Sequence, residues 1–148
     1  MKTTIHSIAA LLLTIAFAAQ AESRWSVKHS ENAAVTYFPN GIVVGVLFHE
    51  STNCHNASLI IYGNGYIDGV AINIDGELFT SDNGPDLKHS EGVGFTDISA
   101  DFLSALKHGH RAYIVTDEGD LKMSLQGSAA AINEAWETCL LKAAANSI

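Results

Sequence analysis

Ala33-Ala34-Val35-Thr36-Tyr37-Phe38, Pro39-Asn40-Gly41 and Ile42-Val43-Val44-Gly45-Val46-Leu47-Phe48 form the stretch whose reading sets the fold. Two runs rich in β-branched and aromatic residues flank an Asn-Gly pair, a strong local hairpin signal. The second run has no polar position at all. A half-wet strand alternates apolar and polar residues, so Ile42–Phe48 is expected to be a central strand covered on both faces, or nearly so.

The same grammar continues outward. After the polar break Ser51-Thr52-Asn53, Ala57–Tyr62 reads as a strand ending at Gly63-Asn64-Gly65, and Tyr66–Ile74 turns at Asp75-Gly76 into Glu77–Thr80. Short strands joined by glycine-containing turns imply an antiparallel meander. Residues 81–92 hold Asp82, Asn83, Gly84, Pro85, Asp86, Lys88, His89 and Glu91 without an apolar period, and read as the longest polar loop. Asp97 or Ser99 then caps a short helix with Ile98, Phe102, Leu103 and Leu106 on one stripe, stopped at Lys107-His108-Gly109. Arg111–Thr116 and Leu121–Gln126 flank Asp117-Glu118-Gly119-Asp120 as a hairpin. Gly127-Ser128 opens a last helix in which Ile132, Trp136, Cys139 and Ala143 are spaced to face the core. The expected class is α+β: an antiparallel sheet of hairpins covered by a short helix and a C-terminal helix. A sheet with helices on one face is preferred over a sandwich, because two apolar helix stripes both need a sheet face to cover.

The chain has 148 residues, 8 Lys and Arg against 16 Asp and Glu, and a formal charge of −8. Its apolar excess is concentrated at the start. Met1-Lys2-Thr3-Thr4, the apolar run Ile8–Ala18 and Ala19-Gln20-Ala21 match the three regions of a secretory signal peptide. Residues 1–21 are therefore expected to be cleaved after Ala21, leaving one exported domain over residues 22–148, periplasmic or secreted. Cleavage removes Lys2 and no acidic residue, so the charge moves from −8 to −9. Nucleic acid and anionic membrane are poor partners for such a surface. No later run reaches the length of a membrane span.

Cys54 and Cys139 remain after cleavage, and in an oxidising compartment this pair reads first as one structural disulfide, with a pair of buried free thiols or a metal site as the alternatives. It would tie the last helix to the sheet.

Candidate chemistry is sparse. His49-Glu50-Ser51-Thr52-Asn53 begins like a zinc-protease HExxH motif but has Asn53 where the second His is required, and it follows a strand. Among the six histidines beyond the leader, His49, His55, His108 and His110 are the candidate ligands for a zinc, copper or nickel site; surface or structural roles compete. The spacing Asp82-Asn83-Gly84-Pro85-Asp86 fails the calcium-loop pattern. Asp117, Glu118 and Asp120 read as solvated turn residues. No G-x-S-x-G elbow, Walker loop or dinucleotide fingerprint is present, and a bridged Cys54 beside His55 cannot act as a nucleophile. Asn56-Ala57-Ser58 fits a glycosylation acceptor, read as chance beside a bacterial-looking leader. No catalytic residue and no cofactor is assigned.

The C-terminal pattern, a short helix, a strand pair and then Leu125-Gln126-Gly127-Ser128 leading into the Ala-rich segment Ala129–Cys139, resembles the ends of small proteobacterial periplasmic proteins of the invasion-associated locus B type. The resemblance covers residues 97–140; the cysteines are placed differently and the N-terminal half has no counterpart. It implies a small exported accessory protein without catalytic residues, and it carries over no functional residue.

The functional expectation is an exported, non-catalytic accessory protein that binds a protein or another component of the cell envelope, with the loops 50–56 and 81–92 as the segments to watch. Two alternatives stand beside it. One is an immunity protein or inhibitor of an exported cell-wall hydrolase, whose acidic surface would steer toward a cationic enzyme. The other is a periplasmic metal-binding protein built on the four histidines.

Overall fold

The structure, a computed structural model, describes residues 24–63, 70–80, 87–89 and 92–147, with the side chains of 87–89 excepted. The expected leader, residues 66–69 of the expected fourth strand and residues 81–86, 90 and 91 of the expected 81–92 loop lie outside the described residues, while 87–89 and 92 are strand rather than loop.

Among the described residues ten strands form two antiparallel sheets. In chain order they are β1 (Ser26–Lys28), β2 (Ala33–Tyr37), β3 (Val43–Phe48), β4 (Ala57–Tyr62), β5 (Ala71–Ile74), β6 (Glu77–Phe79), β7 (Leu87–His89), β8 (Gly92–Phe95), β9 (Ala112–Thr116) and β10 (Gly119–Met123). Helix α1 (Ala100–His108) precedes β9, and α2 (Ser128–Asn146) ends the chain. One sheet has six strands in the order β1-β2-β3-β4-β8-β7, and the other has four in the order β10-β9-β5-β6. The α+β class is as the sequence implies, but the strands divide between two sheets where one was expected. The reason lies in their faces. The strands β5 and β9 put Ile72, Ile74, Ala112 and Ile114 inward and Asn73 and Tyr113 outward, so this second sheet has its own apolar face to bury.

The Pro39-Asn40-Gly41 turn forms as read. Phe38 N–H donates to Ile42 O, Gly41 N–H donates to Phe38 O, and Gly41 takes a φ of 88°. Alternation then sorts the six-stranded sheet. Ala34, Val44, Val46, Phe48, Leu59, Ile61, Val93 and Phe95 point into one core shared with the second sheet and both helices. Phe102 of α1 joins the two sheets: its ring stacks on Phe79 of β6 at 4.7 Å and meets Phe95 of β8 edge-on at 6.4 Å. Ser99 caps α1, its Oγ accepting from Phe102 N–H at 3.1 Å.

Helix α2 lies over β1, β2 and β3 and against α1. Its buried residues are Ser128, Ala131, Ile132, Ala135 and Cys139. This corrects the expected stripe at one position, since Trp136 is 44% exposed. Alanines at 131 and 135 bring the helix axis close to the strands, and the indole at 136 has room only on the flank. Cys139 bonds Cys54 across a sequence separation of 85 residues. Among the described residues no helix is long and apolar enough to cross a membrane.

Asp75 fastens the second sheet to the end of α1. Its carboxylate accepts from the backbone N–H of His110 at 3.0 Å and of Arg111 at 2.8 Å, and these bonds hold its pKa below the usual value of 3.8. A depressed carboxylate stabilises the fold fully above the unfolded value and loses that contribution as pH falls through the folded one.

Two outcomes follow from these ties. Cys54→Ala/Cys139→Ala is expected to lose about 4–5 kcal/mol in urea unfolding, the loop-entropy value for a closure of this length; an unchanged midpoint would show that the bridge is dispensable. Asp75→Asn should unfold at lower urea than the wild type at pH 7, and the gap should narrow as pH falls below the unfolded value of 3.8 and through the lower folded one. A gap that does not narrow in acid would contradict this role.

Candidate functional site

The sequence candidates scatter. Cys54 and Cys139 are bonded to each other and no described cysteine is free, which removes thiolate chemistry. The 50–56 loop is a locked clamp. Asn53 N–H donates to Glu50 O, Cys54 N–H and Thr52 Oγ1 donate to His49 O, and Asn53 and Cys54 both take left-handed backbone angles. Glu50 accepts from Asn32 Nδ2 and from Asn146 Nδ2 at 3.1 Å each, so it ties the loop to the end of α2.

His49 Nε2 lies 2.8 Å from Ser58 Oγ, the one Ser/His contact that invites a catalytic reading. Ser58 is 3% exposed, and the neighbouring carboxylate of Glu50 is taken by the two asparagines. A triad needs an acid to orient the far ring nitrogen and an open nucleophile. The described residues provide neither, so the pair is a buried polar contact closing the end of β3 and β4. His55, His108 and His110 are exposed. The four candidate histidines do not assemble a metal site: among the described residues no three His, Cys, Asp or Glu side chains converge. Asp117, Glu118 and Asp120 are exposed at the β9–β10 turn, as read from the sequence.

What the structure brings together instead is the outer face of the six-stranded sheet. The residues of β2, β3 and β4 that alternate with the core set share it. Tyr37, Val43 and Tyr62 form one row across the three strands, Val35, Gly45 and Ile60 the next, and Ala33, Leu47 and Ser58 the third. None of these nine belongs to the core cluster. A groove of about 420 Å³ is lined by seven of them, Ile60 and Ser58 excepted, and by Lys28 and Glu31, paired at 3.3 Å; Ala33, Val35 and Gly45 form its buried floor. Tyr37 is 49% exposed and Tyr62 48%.

The geometry of the groove comes from the ladder. Tyr37 and Tyr62 sit on either side of Val43, two interstrand spacings or roughly 10 Å apart. Gly45 opens the floor between Val35 and Ile60: a Cβ placed there would meet Leu47 Cδ1 at 3.4 Å and Val35 Cγ1 at 3.5 Å, ordinary contacts. A Cβ at 45 would therefore be tolerated, and any atoms beyond it would lie among the groove side chains of Val35 and Leu47. Two rings over an aliphatic floor suit a partner that offers apolar side chains and edges for hydrogen bonds. The sequence reading missed this site because it took Val43 and Leu47 as covered. The signal was present in Tyr37, Val43, Gly45, Leu47 and Tyr62, which the pairing of these strands places on one face.

No protein-family model, no characterised protein and no solved structure gives a significant match to this chain.

If the His49–Ser58 contact is structural, Ser58→Ala should cost about 1 kcal/mol of stability, the net worth of one hydrogen bond. A serine-directed fluorophosphonate should leave Ser58 unlabelled by mass spectrometry of the folded protein; stoichiometric labelling at Ser58 would overturn the structural assignment.

Proposed function

We propose that this chain is an exported accessory protein that acts by binding, and that it docks a basic protein of the cell envelope on the outer face of β2, β3 and β4. The observation that carries this reading is the groove itself. Strand β3 is apolar on both faces, yet only its inner face belongs to the core. A surface of aliphatic residues flanked by half-exposed tyrosines gains most when a partner removes it from water.

Charge supports the choice of partner. A chain at −8 attracts a cationic protein over long range, and the groove would then supply the short-range apolar contact. The leader pattern and the disulfide support an oxidising, exported setting. The likeness of residues 97–140 to invasion-associated locus B proteins supports an accessory role in the same compartment. Inhibition of an exported cell-wall hydrolase is the narrower form of this reading, since such an enzyme is one kind of basic envelope protein.

The test uses the oxidised protein as bait against its own envelope fraction, beside Tyr62→Ser and Gly45→Val. The valine fills the groove and suits a strand, so it should leave thermal stability unchanged or raised. The expected result is a basic protein held by the wild type, weakened about tenfold or more by each variant and released by salt. Equal retention by wild type and Gly45→Val would refute the docking face. Self-association abolished by Gly45→Val would replace the envelope partner with a second copy and also refute the proposal.

A further inference from the structure

The β9–β10 hairpin presents a second concave surface whose chemistry is opposite to the first. With 16 acidic against 8 basic residues the chain has few cations to place. Even so, Lys107, His108, His110 and Arg111 follow one another around Gly109, and Lys122 stands on the adjoining strand. An open groove of about 660 Å³ is lined by His110, Arg111, Tyr113, Lys122, Ser124 and Gln126 together with Met123 and Leu125, and among the described residues no carboxylate lines it.

The ladder sets the spacing of its donors. Lys122 is directly opposite Tyr113, and Arg111 precedes Tyr113 by two residues. Arg111 and Lys122 are thus diagonal neighbours, roughly 7–8 Å apart at their stems and within common reach of one ligand. The guanidinium offers a planar fork of donors suited to an oxyanion, and Lys122 adds a compact charge. Tyr113, Ser124 and Gln126 supply further hydrogen-bonding groups.

The backbone beneath is held by Asp75, whose carboxylate also interacts electrostatically with His110 and Arg111. Asp75 accepts from both His110 N–H and Arg111 N–H. Gly109 packs so closely that a Cβ there would lie 2.5 Å from Ile74 Cγ2 and 2.6 Å from Ala105 O. This segment is therefore fixed where the groove begins, and the ordering cost of binding falls on the side chains alone. Asp120 shares the outer face with Lys122, two residues nearer the turn, and is not among the lining residues.

The geometry points to a binding site for a small oxyanion ligand, one bearing phosphate or carboxylate groups, with Arg111 and Lys122 as its charged contacts. The volume is in the range of small-molecule sites. The inference is independent of the docking face, which lies on the other sheet.

The test is a titration of the intact, oxidised, isotope-labelled protein with pyrophosphate and, separately, with citrate, at ionic strength held constant with chloride. The expected result is saturable shifts of the His110, Arg111, Tyr113, Lys122 and Ser124 amides with at least one of the two, at a Kd of about 1 mM or tighter. Arg111→Gln and Lys122→Gln should each weaken binding about tenfold, while Lys28→Gln, on the other sheet, leaves it unchanged. The amide spectrum of each variant reports its fold directly. Saturation by pyrophosphate alone assigns a phosphate ligand and by citrate alone a carboxylate ligand; either supports the site. No saturable shift with either probe, or an equal loss in Lys28→Gln, overturns it.

Discussion

Helix α2 lies on one face of the six-stranded sheet, and the rest of the molecule is arranged around that contact. The helix can approach because Ala131 and Ala135 are small, and it is kept in place at both ends of its length. Near its start, Trp25 Nε1 donates to Ser124 O and Trp25 N–H to Gln126 O, which fixes the chain entering the helix. Farther along, Cys139 is bonded to Cys54. Near its end, Asn146 reaches Glu50. The 50–56 turn is the common anchor for the last two ties, which accounts for its internal hydrogen bonds and its two left-handed residues. A loop that looked free to bind a ligand is instead spent on holding the helix.

The inner face satisfied in this way leaves an asymmetry. The four-stranded sheet and α1 complete the core, with Phe102 between Phe79 and Phe95 as the joint, and every large inward residue of β3 and β4 has neighbours. Of the outer residues of the same strands Gly45 and Ser58 are buried as well, while Val43, Leu47, Ile60 and Tyr62 are only partly shielded. An apolar strand at the centre of a sheet normally has cover on both sides. Here one side has the helix and the second sheet, and the other has a groove between two tyrosines. Rigid strands hold that groove, so a partner meets a preformed surface with little ordering left to do. The second groove, near Arg111, belongs to the other sheet and uses polar donors, so the two surfaces could be occupied at once.

Much of this architecture is local enough to read from the sequence. The Pro39-Asn40-Gly41 hairpin, the Ser99 cap, the Asp75-Gly76 turn and the wet β9–β10 hairpin each rest on a few adjacent residues, and the pairing of Cys54 with Cys139 follows from there being one pair. The division into two sheets depends on which distant strands become neighbours, which no local pattern states. Strand β1 was missed because Ser26–Lys28, though alternating, is only three residues long and too short to establish a period. Trp136 was misplaced because its spacing from Ile132 fits an inward stripe, and only the close packing at Ala131 and Ala135 turns it to the flank. His49, His55, His108 and His110 looked like a cluster by count. The fold spends His49 on Ser58 and leaves the other three exposed. The docking groove was half legible: the doubly apolar strand was recognised, and its second face is covered at Gly45 but only half-shielded at Val43 and Leu47.

The central claim is that the outer face of β2, β3 and β4 is covered by a partner in the cell. Its most direct test places a photo-crosslinking amino acid at Tyr62, on that face, and at Leu141, exposed on α2, and irradiates living cells expressing each protein. The account predicts a discrete covalent adduct with one basic protein from position 62 and none from position 141. Adducts from 141 with none from 62, or no adduct from either position, would contradict it.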